Sequence, residues 1–224
     1  MPSIWSFVAA GGNGAAQTGT ITLALPAGHT AGDTLLCLCV TKAQTITVPV
    51  PSGYTSIYNK GTWCQLLAKI DSGAETAPAI ASGGNNMAAS LVAFRGGPGI
   101  IPTVSTSATT NNNVTSSGTI NTPALSPSID NGLIIDIGSC KDNYGTFSSN
   151  PSGFSTLDHL AFSAGGLSLV WAYQIQTARA AISADGFSIS GVGASVNCDG
   201  STVAINSGLL LSSVPTRSLL GVGS

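Results

Sequence analysis

Charge is what this sequence has least of. Seven Lys and Arg and nine Asp and Glu make up 7% of its 224 residues, against roughly 25% in an average domain. The basic residues are scattered from Lys42 to Arg217. They form no stripe that could follow a phosphate backbone, which excludes nucleic acid as a partner. Low charge is also a mark of membrane proteins, but long apolar runs are missing as well. A spanning helix needs about 20 nearly unbroken apolar residues, and the longest runs here, 35–40 and 167–173, are short or interrupted by Ser. No membrane helix is expected. The opening Met1-Pro2-Ser3-Ile4-Trp5 has neither the basic start nor the apolar stretch of a signal peptide, so the expectation is synthesis in a cytoplasm without export.

Residues that carry chemistry are equally sparse. There are two histidines. His29 lies in the turn-like Pro26-Ala27-Gly28-His29-Thr30-Ala31-Gly32, and His159 follows Asp158, with no Gly-x-Ser-x-Gly elbow to supply a nucleophile. Glu75 is the only glutamate, and most aspartates (Asp33, Asp71, Asp130, Asp185, Asp199) fall at turns, so the facing carboxylates of a glycosidase are not in view. Asp136 sits inside a strand, on the face opposite Leu133, Ile135 and Ile137. Cys37 and Cys39 have no second pair or histidine cluster at zinc spacing, and no calcium loop is present. The reading is a chain without catalytic residues, cofactor or metal. Five cysteines (Cys37, Cys39, Cys64, Cys140, Cys198) are an odd number for a disulfide framework, and a chain of this length does not need one, so all five are expected to be reduced packing residues.

What the sequence has is strand. Ile21-Thr22-Leu23-Ala24-Leu25 alternates, and Leu35-Leu36-Cys37-Leu38-Cys39-Val40 is continuously apolar, as for a strand buried on both faces or in a sandwich core. Further runs follow at 63–70, 87–94, 133–137, 166–175, 187–189 and 203–211, punctuated by Gly, Pro, Asn and Ser. The best helical candidate, 71–81, is limited by Pro78 to one short turn.

An internal repeat organises these runs. Gly32-Asp33-Thr34-Leu35-Leu36 precedes Pro51-Ser52-Gly53-Tyr54-Thr55, and Asn131-Gly132-Leu133-Ile134-Ile135 precedes Pro151-Ser152-Gly153-Phe154-Ser155. Neither half could cover its apolar side alone. The sequence therefore predicts one all-β domain, a two-sheet sandwich of jelly-roll type built from two related halves, about 15–97 and 119–212. The Ser/Thr/Asn-rich stretch 105–118 reads as an exposed connector between them, and its Asn113-Val114-Thr115 as a chance glycosylation signal. Tyr54 and Phe154 read as turn anchors at equivalent positions.

So few charges leave Ser, Thr, Asn and Gly to make the surface. Interface cores are depleted in charge, and a free monomer usually keeps more of it for solubility. Burial against copies of itself or against a partner would account for the composition. The apolar terminal arms, 1–8 and 213–224, are the expected assembly contacts, with Ile4, Trp5, Phe7, Leu219 and Leu220 as the residues that would dock.

Together with Ala93-Phe94-Arg95-Gly96, the paired Gly-Asp-Thr-Leu-Leu and Pro-Ser-Gly-aromatic signatures resemble a β-sandwich module of virion proteins from tailed bacteriophages, over roughly residues 15–212. That resemblance implies a capsid decoration (cement) protein that binds the major capsid protein and copies of itself, such as a trimer, on the capsid surface of the virion. Its rival is a tail- or fibre-associated adhesin or baseplate component that binds host glycans through exposed aromatic residues. The family carries no catalytic residues.

Overall fold

The computed structural model describes residues 5–42, 50–60, 63–97, 99–114, 117–127, 130–141, 145–192 and 196–206, apart from the side chains of 111–113. They form an all-β fold of antiparallel strands. The first half contains β1 (Ser6–Ala16), β2 (Thr20–Thr22), β3 (Thr34–Thr41), β4 (Thr55–Asn59), β5 (Cys64–Ile70), β6 (Ala79–Ala81) and β7 (Met87–Arg95). The second contains β8 (Val104–Val114), β9 (Ser117–Thr122), β10 (Leu133–Cys140), β11 (Thr146–Ser149), β12 (Ser155–Phe162), β13 (Leu167–Ile175), β14 (Asp185–Ser190) and β15 (Val196–Ile205). The helical turn expected within 71–81 is not there. That segment bends and then joins β6, and the described residues hold a single 3-10 turn, Ser163–Gly165, elsewhere.

The duplication extends to topology. One five-stranded sheet runs β1-β7-β3-β5-β4 and the other, read in the same sense, β8-β15-β10-β13-β12. Thr34 opposes Phe94 in the first, and Leu133 opposes Ile205 at the matching place in the second. The Pro-Ser-Gly-aromatic motifs form the same turn twice. Tyr54 N–H donates to Pro51 O (3.0 Å), Phe154 N–H to Pro151 O (3.2 Å), and Gly53 and Gly153 both have φ of 80°. A side chain is costly at that dihedral. Gly53→Ala and Gly153→Ala are each expected to lower stability by about 1 kcal/mol, read as a shift in denaturation midpoint.

The sandwich has four layers where the sequence suggested two. The two five-stranded sheets pack face to face over a core formed by Leu36, Leu38, Val40, Leu66, Val92 and Phe94 from one half and Leu133, Ile135, Ile137, Leu169, Trp171 and Val203 from the other. Strands that are apolar on both faces need cover on the outside too. Leu35, Cys37 and Cys39 pack outward against Ile21 and Ile80 of the small β2-β6 sheet. Val170, Ala172 and Cys140 pack outward against Ile120, Phe187 and Ile189 of the three-stranded sheet β11-β14-β9. The whole of β3 and of β10 is buried as a result.

The polar stretch at 105–118 is not a connector. Most of it is β8, the outer strand of the second large sheet, paired with β15 along its length. In topology β8 occupies the place of β1, so the second half begins near residue 104. Threonine suits a pleated, half-buried strand, and an edge strand needs little apolar cover. Residues 207–224, with the expected arm 213–224, lie outside the described residues.

Candidate functional site

The residues expected to dock onto neighbouring subunits divide in two. Ile4, Leu219 and Leu220 lie outside the described residues. Trp5 and Phe7 are built into the chain's own central core. Trp5 is 1% exposed and meets the Phe94 ring edge-on at 6.2 Å, in space left by Gly97, where a Cβ would sit 2.8 Å from the indole. Phe7 stacks on Tyr173 at 5.3 Å and meets Phe94 edge-on at 5.5 Å. The first apolar arm therefore begins edge strand β1, because pairing with β7 satisfies its backbone and the aromatic cluster takes its side chains.

Neither histidine is hydrogen-bonded to a hydroxyl among the described residues. His29 Nδ1 bonds the carboxylate of Asp71, which also accepts from Gly73 N–H (2.6 Å), at a turn. His159 is exposed and lines a shallow depression of about 160 Å³ with Phe147, Ser148, Ser149, Asn150, Thr156 and Val170. Its neighbour Asp158 is committed elsewhere, since successive strand residues point to opposite faces. Asp158 accepts from Asn13 Nδ2 (2.9 Å) and Ser90 Oγ (2.6 Å), and Ser90 accepts from Trp171 Nε1 (3.2 Å). This network joins the two large sheets and has no histidine in it. No group of three or more His, Cys, Asp or Glu side chains among the described residues is placed to hold a metal ion.

The cysteine expectation is corrected at one pair. Cys140 and Cys198 are directly opposed on β10 and β15 and form a disulfide, with Cα atoms 4.0 Å apart. The next pair along, Lys141 and Asn197, is joined by a backbone hydrogen bond of 3.1 Å. The cysteines therefore occupy the narrow, non-hydrogen-bonded kind of site where side chains lie closest. Cys37, Cys39 and Cys64 are free and buried. The hydrogen bond between Cys39 and Cys37, together with burial, pushes the Cys39 thiol well up, and burial raises Cys64, so neither is a ready nucleophile.

Most of the few charges are paired or hydrogen-bonded within the chain. Arg95 grips Asp33 with two bonds of 2.9 and 2.8 Å and reaches Gly28 O and Thr30 Oγ1 with the same guanidinium. Burial works against the Asp33 carboxylate, but Arg95 and the Thr30 N–H more than offset it, and its pKa is lowered. Lys69 pairs with Glu75. Lys60 pairs with Asp199 at 2.7 Å, and the Lys60 and Lys141 ammonium groups both lie over the Trp63 ring. Asp130 accepts from Arg179 N–H (2.6 Å) and Asp185 from Ser152 N–H (2.6 Å). With Asp71, Asp136 and Asp158 also bonded, every described acidic side chain is engaged within the chain.

The exterior is correspondingly bland. Val50 and Ile100 are the exposed large hydrophobic residues among those described, and no described Trp, Tyr or Phe is fully exposed. Tyr54 is buried and Phe154 half-buried at their turns. Trp63, Phe147, Phe162 and Tyr173 are partly exposed. What the surface offers a partner is chiefly Ser, Thr and Asn side chains, glycine backbone and the open edges of the sheets, with few charges among them. The chain matches no family model, no curated protein and no solved structure.

Proposed function

We propose that this chain is a structural protein of a bacteriophage virion, a capsid decoration protein that binds the major capsid lattice without catalysis. The observation that carries the reading is the internal use of charge, in which every described carboxylate is bonded within the chain and the exposed side chains are mostly uncharged Ser, Thr and Asn, with Arg95, Asp130, Arg179 and Asp185 as the exposed charged exceptions. Such a surface can be covered by a neighbour with little desolvation of charge. The sequence resemblance to phage virion modules points the same way. Attachment through such a surface is expected to depend little on salt, since screening acts mainly on exposed charges.

The test is the number of copies per purified particle, measured by quantitative mass spectrometry against the major capsid protein, with a high-salt wash as second readout. A ratio near one, or a simple fraction repeated over the shell, that survives the wash supports decoration. A few copies per particle would sink the capsid reading and move the protein to the tail, and none at all would sink the virion reading.

A further inference from the structure

Each five-stranded sheet has two outer edges, and three of the four are blunted. Strand β4 is five residues long with a register break between Ser56 and Tyr58. Strand β12 breaks register between Thr156 and Asp158 and carries Asp158 and His159. Strand β1 breaks twice, between Phe7 and Ala9 and between Ala10 and Asn13. Bulges, charge and shortness are how natural sheets keep edges from pairing with other chains.

The fourth edge, β8, shares with β1 only the break at its start, where Ser105 is the extra residue between Val104 and Thr106, and has no charge and no second break. It is eleven residues of Val-Ser-Thr-Ser-Ala-Thr-Thr-Asn-Asn-Asn-Val, without charge, Pro or Gly. Its register with β15 is unbroken from Val114 opposite Val196 to Thr106 opposite Ala204. Among the described residues no strand pairs with its outer side.

Comparison of the halves shows why β8 is left open. In β1 the break after Ala10 holds Gly11 and Gly12, and Gly12 N–H donates to Ala24 O (2.7 Å), so a following stretch of the chain lies against that edge. It comes so close that a Cβ on Gly11 would sit 2.5 Å from Ala24 O, and one on Gly12 2.4 Å from Ala24 N. Ala10 opposes Val92, and its counterpart in β8 is Ser107, which opposes Val203. Asn13 opposes Ser90, and its counterpart is Thr109, opposite Ser201. Between them β8 has one residue in regular register, Ala108, where β1 has the glycine pair. Without the bulge and the two missing side chains, the first half's cover has no place in the second.

We infer that β8 is a self-association edge, on which β8 of a second copy pairs antiparallel about a two-fold axis and joins the two large sheets into one. The second copy is the occupant because the strand suits itself. Antiparallel self-pairing brings no like charges together, and each Ser, Thr and Asn offers both a donor and an acceptor to its counterpart. A two-fold contact of this kind is closed and self-complementary. Over eleven residues the shared edge runs to about 36 Å. The inference rests on the edge itself and stands apart from the virion reading.

Sedimentation of the full chain tests it. The wild type is expected to dimerise from its 22.2 kDa monomer. Ser107 and Thr109 are exposed, and Ser107→Lys/Thr109→Lys would set like charges against each other across the axis. That variant is expected to weaken dimerisation about tenfold or more with its far-UV circular dichroism unchanged, which shows that it is folded. Thr55→Lys/Ser56→Lys on the bulged β4 edge should leave the dimer intact. A wild type that stays monomeric, one that forms a trimer, or a β8 variant that dimerises normally each overturns the proposal. Should the β8 variant misfold, hydrogen exchange of the wild type decides. Protection of the β8 amides must rise with concentration, and protection that is the same at every dilution overturns the inference.

Discussion

Replacing Cys140 and Cys198 together by alanine is expected to remove about 4 kcal/mol of stability. The bond closes a loop with a sequence separation of 58, and the chain-entropy relation gives roughly that figure for the freedom it removes from the unfolded state. For a protein of this size the thermal midpoint should fall by roughly 10 °C. Alanine is the right substitution because both sulfurs lie among Val170, Val196, Phe187 and Ile189, where a serine hydroxyl would need a partner. Both residues are fully buried, so a reductant should reach the bond only as the chain opens, and reduced wild type should then unfold like the variant. Alkylation of the denatured, unreduced protein checks the premise. Three labelled thiols, Cys37, Cys39 and Cys64, are expected, and five would mean that the bond is absent. On the virion reading the bond would form after the particle leaves the reducing cytoplasm, so protein taken from inside the cell should label five times.

The fold was legible wherever side chains alternate or repeat. The paired motifs before β3 and β10 marked two related halves, and the structure gives those halves the same strand order. Legibility ended where a residue's role depends on its neighbour in another strand. Nothing at 105–118 distinguishes a polar loop from a polar edge strand until β15 is beside it. Trp5 and Phe7 look like a free arm until Phe94 and Tyr173 close around them. The disulfide is the clearest case. Cys140 and Cys198 oppose each other only because β10 and β15 pair in one register, and a slip of one residue would turn them to opposite faces.

The two halves also show how a duplicated fold diverges. By register, the first half places Thr41 opposite Met87 where the second has Cys140 opposite Cys198. Cys37 of β3 likewise matches Asp136 of β10. The strands and turns were kept while covalent, charged and edge features changed on one side only. This is the behaviour expected when backbone pairing and apolar packing define the fold and single buried positions can be reassigned within it.

The Cys37-to-Asp136 difference leads to the second large effect. Asp136 lies on the outer face of β10 under the three-stranded sheet, 1% exposed. It accepts a hydrogen bond from Thr122 Oγ1 (3.0 Å) through Oδ2, while Oδ1 has no partner among the described residues. Burial raises its pKa to about 6, with a smaller push from the charge of Asp185 and opposition from Thr122 and Thr202. Thr202 gives its own hydrogen to Pro123 O (2.8 Å), so its oxygen suits a protonated carboxyl better than a carboxylate. The sign follows from linkage. A carboxyl whose pKa is higher folded than unfolded contributes most when both states are protonated. That contribution is lost as pH rises from about 4 to about 6 and stays lost above. Two pKa units correspond to about 3 kcal/mol. Asp136→Asn keeps the shape and removes the ionisation, so the variant should be more stable than wild type by up to about 3 kcal/mol at pH 7 to 8 and no more stable near pH 4. Depressed carboxylates such as Asp33 and Glu75 pull the other way in both proteins, so the quantity to measure is the difference in unfolding free energy between the two across that range. A difference that does not change with pH would mean that Asp136 is ionised without cost where it lies, and a wild type more stable than the variant at pH 7 would mean that its carboxylate is well held by the groups around it.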